Sequence, residues 1–244
     1  MSITKRQEQI LELLRENGYL SVERLSKMTY TSESSIRRDL TKLQNMCFIK
    51  RTHGGADIPS EINNVAPLSS RMTANAAGKR KIAKIAASLL RDGQSVMLDG
   101  SSTASFLIPH IAKRKDIILF TNSMLAAISA VNFGIRTHCI GGECVNGSAV
   151  LSGVRAYKEV ADIRPDILFF SSRSLDADGV ISDPMESENY IRQLMIANAS
   201  KSVFLCDGDK FNTRSLYTLT SLNTVDIAVF DRPFADLKTK CKIL

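Results

Sequence analysis

Two clusters of cationic and hydroxyl-bearing residues near the amino terminus have the chemistry of a DNA-binding surface. Arginine can donate two hydrogen bonds to guanine N7 and O6 in the major groove, and serine, threonine and lysine side chains bind phosphates. One cluster lies in and just after Ser32-Glu33-Ser34-Ser35-Ile36-Arg37-Arg38-Asp39-Leu40, and the other in Lys50-Arg51-Thr52-His53-Gly54-Gly55. We predict contacts to double-stranded DNA from Ser32, Ser34, Ser35, Arg37, Arg38, Thr41, Lys42, Asn45, Lys50, Arg51 and His53.

Helical periodicity places most of these residues on one side of the third of three short helices. A capping box of Thr4 and Gln7 begins the first helix, Ser21 caps the second and Ser32 caps the third. At about 100° per residue, the third helix buries Ile36, Leu40 and Leu43 and presents Ser34, Arg38, Thr41 and Asn45 on the opposite side, flanked by Arg37 and Lys42. A carboxylate is unfavourable beside DNA phosphates, so we expect a structural role for Asp39, paired with Arg37 or Arg51.

Charge is concentrated in the same amino-terminal region. Residues 1–56 contain ten Lys or Arg against six Asp or Glu, whereas the remaining 188 residues contain 22 against 19. This favours a polyanionic partner, although a solvated basic surface without a partner explains the charge alone equally well. Phe48 and Ile49 are expected to pack inward while Lys50 and Arg51 face phosphate, as in the wing of a winged helix. Residues 57–70 contain two Pro, three Ser and two Asn and are predicted to be a linker.

The remaining sequence, residues 71–244, alternates helices with short apolar strands. We predict helices over 82–90, 102–112, 122–132 and 187–199, and strands over 95–98, 117–120, 136–140, 167–170, 202–205 and 227–230. This alternation predicts a Rossmann-like, mostly parallel α/β sheet that is covered by helices on both faces.

The loops after four of these strands carry the polar residues of a predicted ligand crevice, because open α/β sheets bind ligands at the carboxyl ends of their strands. The hydroxyl-rich loop 99–103 suits a phosphate, and Lys210 could neutralise that phosphate or bond a sugar hydroxyl. Asp99, Glu143 and Asp176 could accept hydroxyl groups. The predicted contacts are Asp99, Gly100, Ser101, Ser102, Thr103, Asn122, Ser123, Gly141, Gly142, Glu143, Asp176, Asp207 and Lys210.

Composition argues against a metalloprotein and a membrane protein. The five cysteines are scattered, and Cys139 and Cys144 have no second pair to complete a zinc site. No apolar run reaches about 18 residues, and no amino-terminal apolar signal segment is present. We therefore expect a soluble, cytoplasmic protein without a metal or cofactor.

The run Ile36-Arg37-Arg38-Asp39-Leu40, followed by Arg51-Thr52-His53-Gly54-Gly55-Ala56, closely resembles the DeoR family of bacterial transcription regulators. Residues 71–244 are similar to the effector domain of that family, which itself resembles sugar-phosphate isomerases of the ribose-5-phosphate isomerase type. The resemblance implies that loop 99–103 holds a phosphate, that Lys210 faces the sugar and that Glu188 also belongs to the crevice. The sequence departs from the family at Ser171 and Ser174, where glycine is usual, and at Cys144-Val145-Asn146, where an arginine is common.

The resemblance implies a ligand-responsive regulator, most often a repressor of a carbohydrate-metabolism operon. Such a protein would bind operator DNA as a homo-oligomer, either a dimer or a tetramer, and would respond to a phosphorylated sugar. The alternative is a sugar-phosphate isomerase with an accessory domain, because Asp176, Asp178, Glu186, Glu188 and Lys210 supply the residue types for proton transfer. The amino-terminal module (residues 1–56) favours the regulator, because an isomerase does not need it.

Overall fold

The chain divides into two compact units, the amino-terminal unit Met1–Arg71 and the carboxy-terminal unit Met72–Leu244. The structure, a computed structural model, describes residues 4–45, 49–52, 54–57, 68–144 and 149–244, without the side chains of Arg15, Asn45, Lys50 and residues 68–70. Within these ranges, no helix combines the length and the apolar character that a membrane crossing requires.

Three helices and a small antiparallel sheet form the amino-terminal unit. In chain order the elements are α1 (Lys5–Asn17), β1 (Leu20–Ser21), α2 (Val22–Met28), α3 (Glu33–Asn45), β2 (Lys50–Thr52) and β3 (Gly55–Asp57), and α4 (Leu68–Thr73) follows. Strand β3 lies between β1 and β2 and is antiparallel to both. Three helices followed by the β2–β3 hairpin confirm the predicted winged helix-turn-helix.

Local hydrogen bonds determine where the first two helices begin. The Thr4 hydroxyl accepts from the Gln7 backbone N–H at 3.3 Å, and the Gln7 side-chain oxygen accepts from the Thr4 N–H at 3.1 Å. The Ser21 hydroxyl accepts from the Arg24 N–H at 3.1 Å. Such caps satisfy N–H groups that have no partner inside a helix, and both lie where the sequence predicts them.

A seven-stranded sheet forms the centre of the carboxy-terminal unit. In chain order the elements are α5 (Ala76–Ala86), β4 (Ser95–Leu98), α6 (Ser102–Ser105), α7 (Ile108–Ile111), β5 (Ile118–Thr121), α8 (Met124–Asn132), β6 (Arg136–Cys139), β7 (Glu143–Cys144), β8 (Leu151–Ser152), α9 (Val154–Ala161), β9 (Ile167–Phe170), β10 (Ser174–Leu175), β11 (Val180–Asp183), α10 (Glu186–Asn198), β12 (Ser202–Cys206), β13 (Tyr217–Ser221), β14 (Ile227–Phe230) and β15 (Lys242–Ile243). The sheet order is β15-β14-β12-β9-β4-β5-β6, and every neighbouring pair is parallel. The predicted parallel α/β sheet is therefore confirmed.

Both faces of this sheet are buried, because alternate strand residues pack into two separate cores. Phe169 packs with residues of α5, α6, α7 and α8 on one face. Its neighbours Leu168 and Phe170 pack with residues of α9 and α10 on the other face. Side chains of successive strand residues point to opposite faces, so a strand that is apolar throughout must be covered on both sides.

The structure corrects several of the predicted elements. Residues 102–112 form two short helices, α6 and α7, rather than one, and Pro109 lies in the first turn of α7. Proline lacks an N–H and clashes with the carbonyl of the residue four positions earlier, so it cannot lie inside a continuous helix without distorting it. The sequence prediction also missed α9, the β7–β8 pair and the antiparallel sheet β10-β11-β13.

Candidate functional site

Helix α3 presents the predicted DNA-contacting residues on its outer side. Ile36, Leu40 and Leu43 are fully buried. The exposed residues are Ser32, Ser34, Arg37, Arg38, Thr41 and Lys42, and Ser35 is half-buried. His53 and the side chains of Asn45 and Lys50 lie outside the described residues. The two sides of the helix are as the periodicity predicts, and the DNA contacts themselves stay a prediction.

The hairpin and helix α3 share this surface. The Arg51 guanidinium donates to the Thr41 hydroxyl at 3.2 Å, so the cation of β2 lies beside the outer side of α3. Gly55 allows the hairpin to approach β1 closely, because a Cβ at this position would clash with the Leu20 carbonyl oxygen. Ile49 packs inward and is 4% exposed, as predicted. The hydrogen-bonding groups of α3 and Arg51 therefore form one continuous exposed surface.

Asp39 is buried and connects α3 to α1. Its Oδ2 accepts from Arg6 Nε at 2.5 Å, and its Oδ1 accepts from Gln7 Nε2 at 3.0 Å. The predicted structural role is confirmed, but the predicted partners are wrong, because Arg37 pairs with Glu33 at 2.9 Å and Arg51 contacts Thr41. Residues two positions apart on a helix lie on different sides, so the side chains of Arg37 and Asp39 cannot reach each other to form an ion pair.

In the carboxy-terminal unit, Lys210 joins three of the loops at the carboxyl edge of the sheet. Its ammonium group donates to Ser171 Oγ at 2.8 Å and to Thr103 Oγ1 at 3.3 Å, and it forms an ion pair with Asp207 Oδ2 at 3.2 Å. These contacts bring together the loops after β9, β4 and β12, which are neighbours in the sheet. We call this group of loops, together with residues 121–123 after β5, the crevice.

Asp99 and Glu188 belong to a buried ion cluster around Arg192. The Arg192 guanidinium donates to Asp99 at 2.9 Å, to Asp183 at 3.1 Å and to Glu188 at 2.7 Å, and all four side chains are nearly inaccessible. Burial alone would lower the pKa of Arg192, but the three carboxylates raise it. Sequence reasoning missed Arg192 and Asp183, although the spacing of four residues between Glu188 and Arg192 is typical of a helical ion pair.

Most hydroxyl groups of the predicted phosphate loop already have partners inside the protein. The Ser101 hydroxyl donates to Asp99 at 2.5 Å and accepts from the Ala104 N–H at 3.1 Å. Thr103 accepts from Lys210. In the loop after β5, Ser123 caps α8 through the Ala126 N–H. These groups hold the loops in place, so the hydroxyl groups themselves are largely committed.

The other predicted crevice residues lie in different settings. Gly100 and Gly142 are closely packed, against Val150 and against Ser152, and a Cβ at either position would clash. Gly141 and Glu143 are exposed. Asp176 forms an ion pair with Arg214 and accepts hydrogen bonds from the N–H groups of the turn between β10 and β11. No described hydrogen bond joins Gly141, Glu143 or Asp176 to Lys210.

Among the described residues, three buried polar atoms at the carboxyl edge have no hydrogen-bond partner. They are Nη2 of Arg173, the third residue after β9, Oδ1 of Asn122, after β5, and Oδ2 of Asp207, after β12. The Asp207 oxygen still has its charge balanced by the ion pair with Lys210 at 3.2 Å. The amide nitrogen of Asn122 donates to the Leu151 carbonyl at 2.9 Å, so only its oxygen lacks a partner. Buried polar groups are almost always satisfied in folded proteins, so each unsatisfied one calls for an explanation. Sequence reasoning missed Arg173, although it follows a strand just as the chosen residues do.

Comparison with known proteins places the chain among transcription regulators. It is 29% identical to the "HTH-type transcriptional repressor GlcR" of Bacillus subtilis (strain 168) over 91% of this chain and 86% of that protein. It is 26% identical to the "Glycerol-3-phosphate regulon repressor" of Escherichia coli (strain K12) over 96% of this chain and 92% of that protein. These proteins are regulators rather than enzymes.

The structural likeness to sugar-phosphate isomerases is weaker. The ribose 5-phosphate isomerase A of Methanocaldococcus jannaschii matches with a TM-score of 0.43 and 20% identity, over 57% of this chain and 55% of that one. The matched part therefore spans about half of each molecule, and no activity is transferred from it.

Family comparison covers both units. The DeoR-like helix-turn-helix domain matches residues 6–62, and the DeoR C terminal sensor domain matches residues 74–232. Because these matches include the winged helix and nearly all of the parallel sheet, the chain belongs to the DeoR family of transcription regulators.

Proposed function

We propose that this protein is a repressor of a carbohydrate-metabolism operon and that a phosphorylated sugar in the crevice releases or modulates its binding to operator DNA. The observation that carries the proposal is the position of Lys210, which joins three strand-end loops of a crevice whose loops also carry buried polar atoms without hydrogen-bond partners. The printed names of the relatives, a transcriptional repressor and a glycerol-3-phosphate regulon repressor, support the same class of function.

The DNA-binding half of the proposal rests on the exposed surface of α3 and the hairpin. Arg38 and Thr41 lie opposite the buried side of α3, so they would reach base edges, while Arg37, Lys42 and Arg51 would bind phosphates. A homo-oligomer, dimer or tetramer, would present two such helices to half-sites that are separated by one helical turn of DNA or a multiple of it.

Asp207 offers a route by which ligand binding could reach the start of the carboxy-terminal unit. It pairs with Lys210 and also accepts a hydrogen bond from Asn75, which caps α5. Burial alone would raise the pKa of Asp207, but Lys210, Lys79 and Asn75 stabilise the carboxylate and hold the pKa below its usual value. A ligand that draws Lys210 away would weaken this arrangement next to the first residues of the unit. A coupling of about 1–3 kcal/mol would suffice for a useful switch.

Fluorescence anisotropy with an operator fragment tests the DNA-binding half. Arg38→Ala should weaken operator binding by about 1–3 kcal/mol and relax preference at one base position, since bidentate base contacts have that magnitude. The control is Arg164→Ala, which changes an exposed arginine of the carboxy-terminal unit just before β9 and should bind operator DNA as the wild type does. Unchanged operator affinity of Arg38→Ala would refute the assignment of the base-reading side.

The effector half is tested by adding sugar phosphates to the operator complex. We expect at least one of them to change operator affinity, and we expect Lys210→Ala to bind operator normally while losing that response. A Lys210→Ala protein released at the same sugar-phosphate concentration as the wild type would show that Lys210 does not contact the effector. If no sugar phosphate changes operator binding, the proposed function is wrong.

A further inference from the structure

Arg173 lies in the crevice on a loop that neighbouring contacts hold on both sides. On one side of it, the Ser171 hydroxyl donates to the Leu205 carbonyl at 2.7 Å and accepts from Lys210. Next to it, the Ser172 hydroxyl donates to the Ser182 carbonyl at 2.7 Å. On the other side, Ser174 exchanges a hydrogen bond with Ser215 at 2.8 Å. The backbone that carries Arg173 is therefore fixed at the carboxyl edge of the sheet.

Arg173 is half-buried, and one end of its guanidinium is buried without a partner. Its Nη2 has no hydrogen-bond partner, although Asp183 and Glu188 are close enough to attract it electrostatically. Those carboxylates hydrogen-bond to Arg192 instead. Burial lowers the pKa of Arg173, which is the sign of a cation that has lost water without gaining an equivalent partner. A desolvated N–H donor of this kind costs stability unless an acceptor arrives.

Most of the other groups expected to hold an anion are already engaged. Lys210 is paired with Asp207, and the hydroxyl groups of Ser101 and Thr103 have partners within the protein. Helix α6 is a single turn of four residues, too short to offer a strong terminal dipole. Among the described crevice residues, Arg173 is thus the cation whose donor groups remain to be satisfied.

We propose that Arg173 binds the phosphate group of the effector, in addition to Lys210, and that it sets the preference of this protein for a phosphate monoester over a neutral sugar. The inference rests on the proposed function in so far as the effector occupies the crevice. A guanidinium presents its N–H groups in a planar fork that matches two oxygens of a phosphate, which an ammonium group cannot do. Asn122, whose buried Oδ1 lacks a donor, would accept a hydroxyl group of the same ligand.

This assignment predicts that replacing Arg173 weakens phosphate binding without lowering the stability of the ligand-free protein, which would not be true of a structural arginine. Replacing Arg173 by Gln removes a desolvated charge that has no complete partner, so the ligand-free protein should melt at the same temperature as the wild type or above it. A structural arginine would instead hold the acidic residues together, and its loss would lower the melting temperature.

The test uses the full chain and inorganic phosphate as the probe, with chloride at matched ionic strength as the reference. Wild type, Arg173→Gln, Arg173→Lys and the matched control Arg164→Gln are titrated by thermal shift and calorimetry. We expect phosphate to bind and stabilise the wild type and Arg164→Gln equally. Arg173→Gln should bind phosphate at least tenfold more weakly, with Arg173→Lys between the two.

Several outcomes would overturn the assignment. One is phosphate binding by Arg173→Gln that is as tight as that of the wild type. Another is a ligand-free melting temperature of Arg173→Gln that falls together with its phosphate binding. A wild-type protein that binds a neutral hexose but neither phosphate nor the hexose phosphate would also refute it. In the first two cases, release of the wild-type operator complex by a sugar phosphate would leave the proposed function standing, so failure of this assignment is distinguishable from failure of the proposed function. In the third case both proposals fail.

Discussion

Asp39 should contribute far more to the free energy of unfolding than Glu33, the other carboxylate on α3. It is 3% exposed, and it accepts from Arg6 of α1 and from the buried amide of Gln7. Hydrogen bonds to a charged group contribute about 1.5–3 kcal/mol each. The Arg6 side chain is 44% exposed, so water would replace part of its contact. We therefore expect Asp39→Ala to destabilise the packing of α1 on α3 by about 2–3 kcal/mol.

Asp39→Asn and Glu33→Gln give the graded comparison. Asparagine keeps an acceptor for Gln7 and loses only the ion pair, so about 1 kcal/mol should be lost. Glu33 forms an exposed pair with Arg37 on the same helix, and exposed pairs four residues apart contribute about 0.3–0.5 kcal/mol. The same helix thus offers a buried and an exposed carboxylate of opposite expected importance.

Amide hydrogen exchange followed by mass spectrometry measures these changes locally. A tenfold change in rate corresponds to about 1.4 kcal/mol, so Asp39→Ala should speed exchange in residues 5–17 and 33–45 by roughly 30- to 150-fold. Glu33→Gln should change it by about twofold, and residues 186–198 of α10 serve as the internal reference. Operator affinity should fall for Asp39→Ala although Asp39 is not exposed. Equal exchange in Asp39→Ala and Glu33→Gln would refute the assigned role of the buried pair.

Three further predictions concern strain, the buried ion cluster and coupling. Tyr30 is 98% exposed and has a φ of 51°, a conformation that strains any residue with a Cβ. Tyr30→Gly should therefore raise the free energy of unfolding, measured by urea denaturation, by about 0.5–1 kcal/mol, and a decrease would contradict the assigned strain. Arg192→Met leaves three buried carboxylates unpaired and should destabilise the carboxy-terminal unit by about 3–5 kcal/mol in the same assay, whereas exposed Arg214→Met should cost far less. Asn75→Gly keeps the left-handed backbone but removes the contact to Asp207, so calorimetry and anisotropy should show normal sugar-phosphate and operator binding with a weaker effect of one on the other.

The parts of the fold that depend on near neighbours were predictable from the sequence. The capping box at Thr4, the Ser21 cap and the buried side of α3 each involve residues within one or two helical turns, so periodicity and residue type are sufficient. Strands β4, β9, β12 and β14 were predictable because continuous apolar runs of this length must be covered on both faces. The division of residues 102–112 into two helices was also within reach, since Pro109 is visible in the sequence.

The partners of the charged residues were not predictable, because they are set by which elements become neighbours. Asp39 pairs with Arg6, 33 positions away, and helical periodicity alone does not predict a contact between residues of different helices. Asp99 meets Arg192 across 93 positions, which diverts a predicted ligand group into a buried ion cluster. Strand alternation predicts that a sheet forms but leaves the order of its strands open.

Residue types and their spacing alone determined that this chain has a basic winged helix, a parallel α/β unit and polar loops at strand ends. Only the tertiary structure decided which of those polar groups remain available. The sheet order β12-β9-β4-β5 places four loops side by side. Arg192 binds the buried carboxylates, including Glu188, and Lys210 contacts both Thr103 and Ser171 in the crevice. Arg173 is a candidate ligand contact because Asp183 and Glu188, the carboxylates near it, hydrogen-bond to Arg192 and leave its Nη2 without a partner.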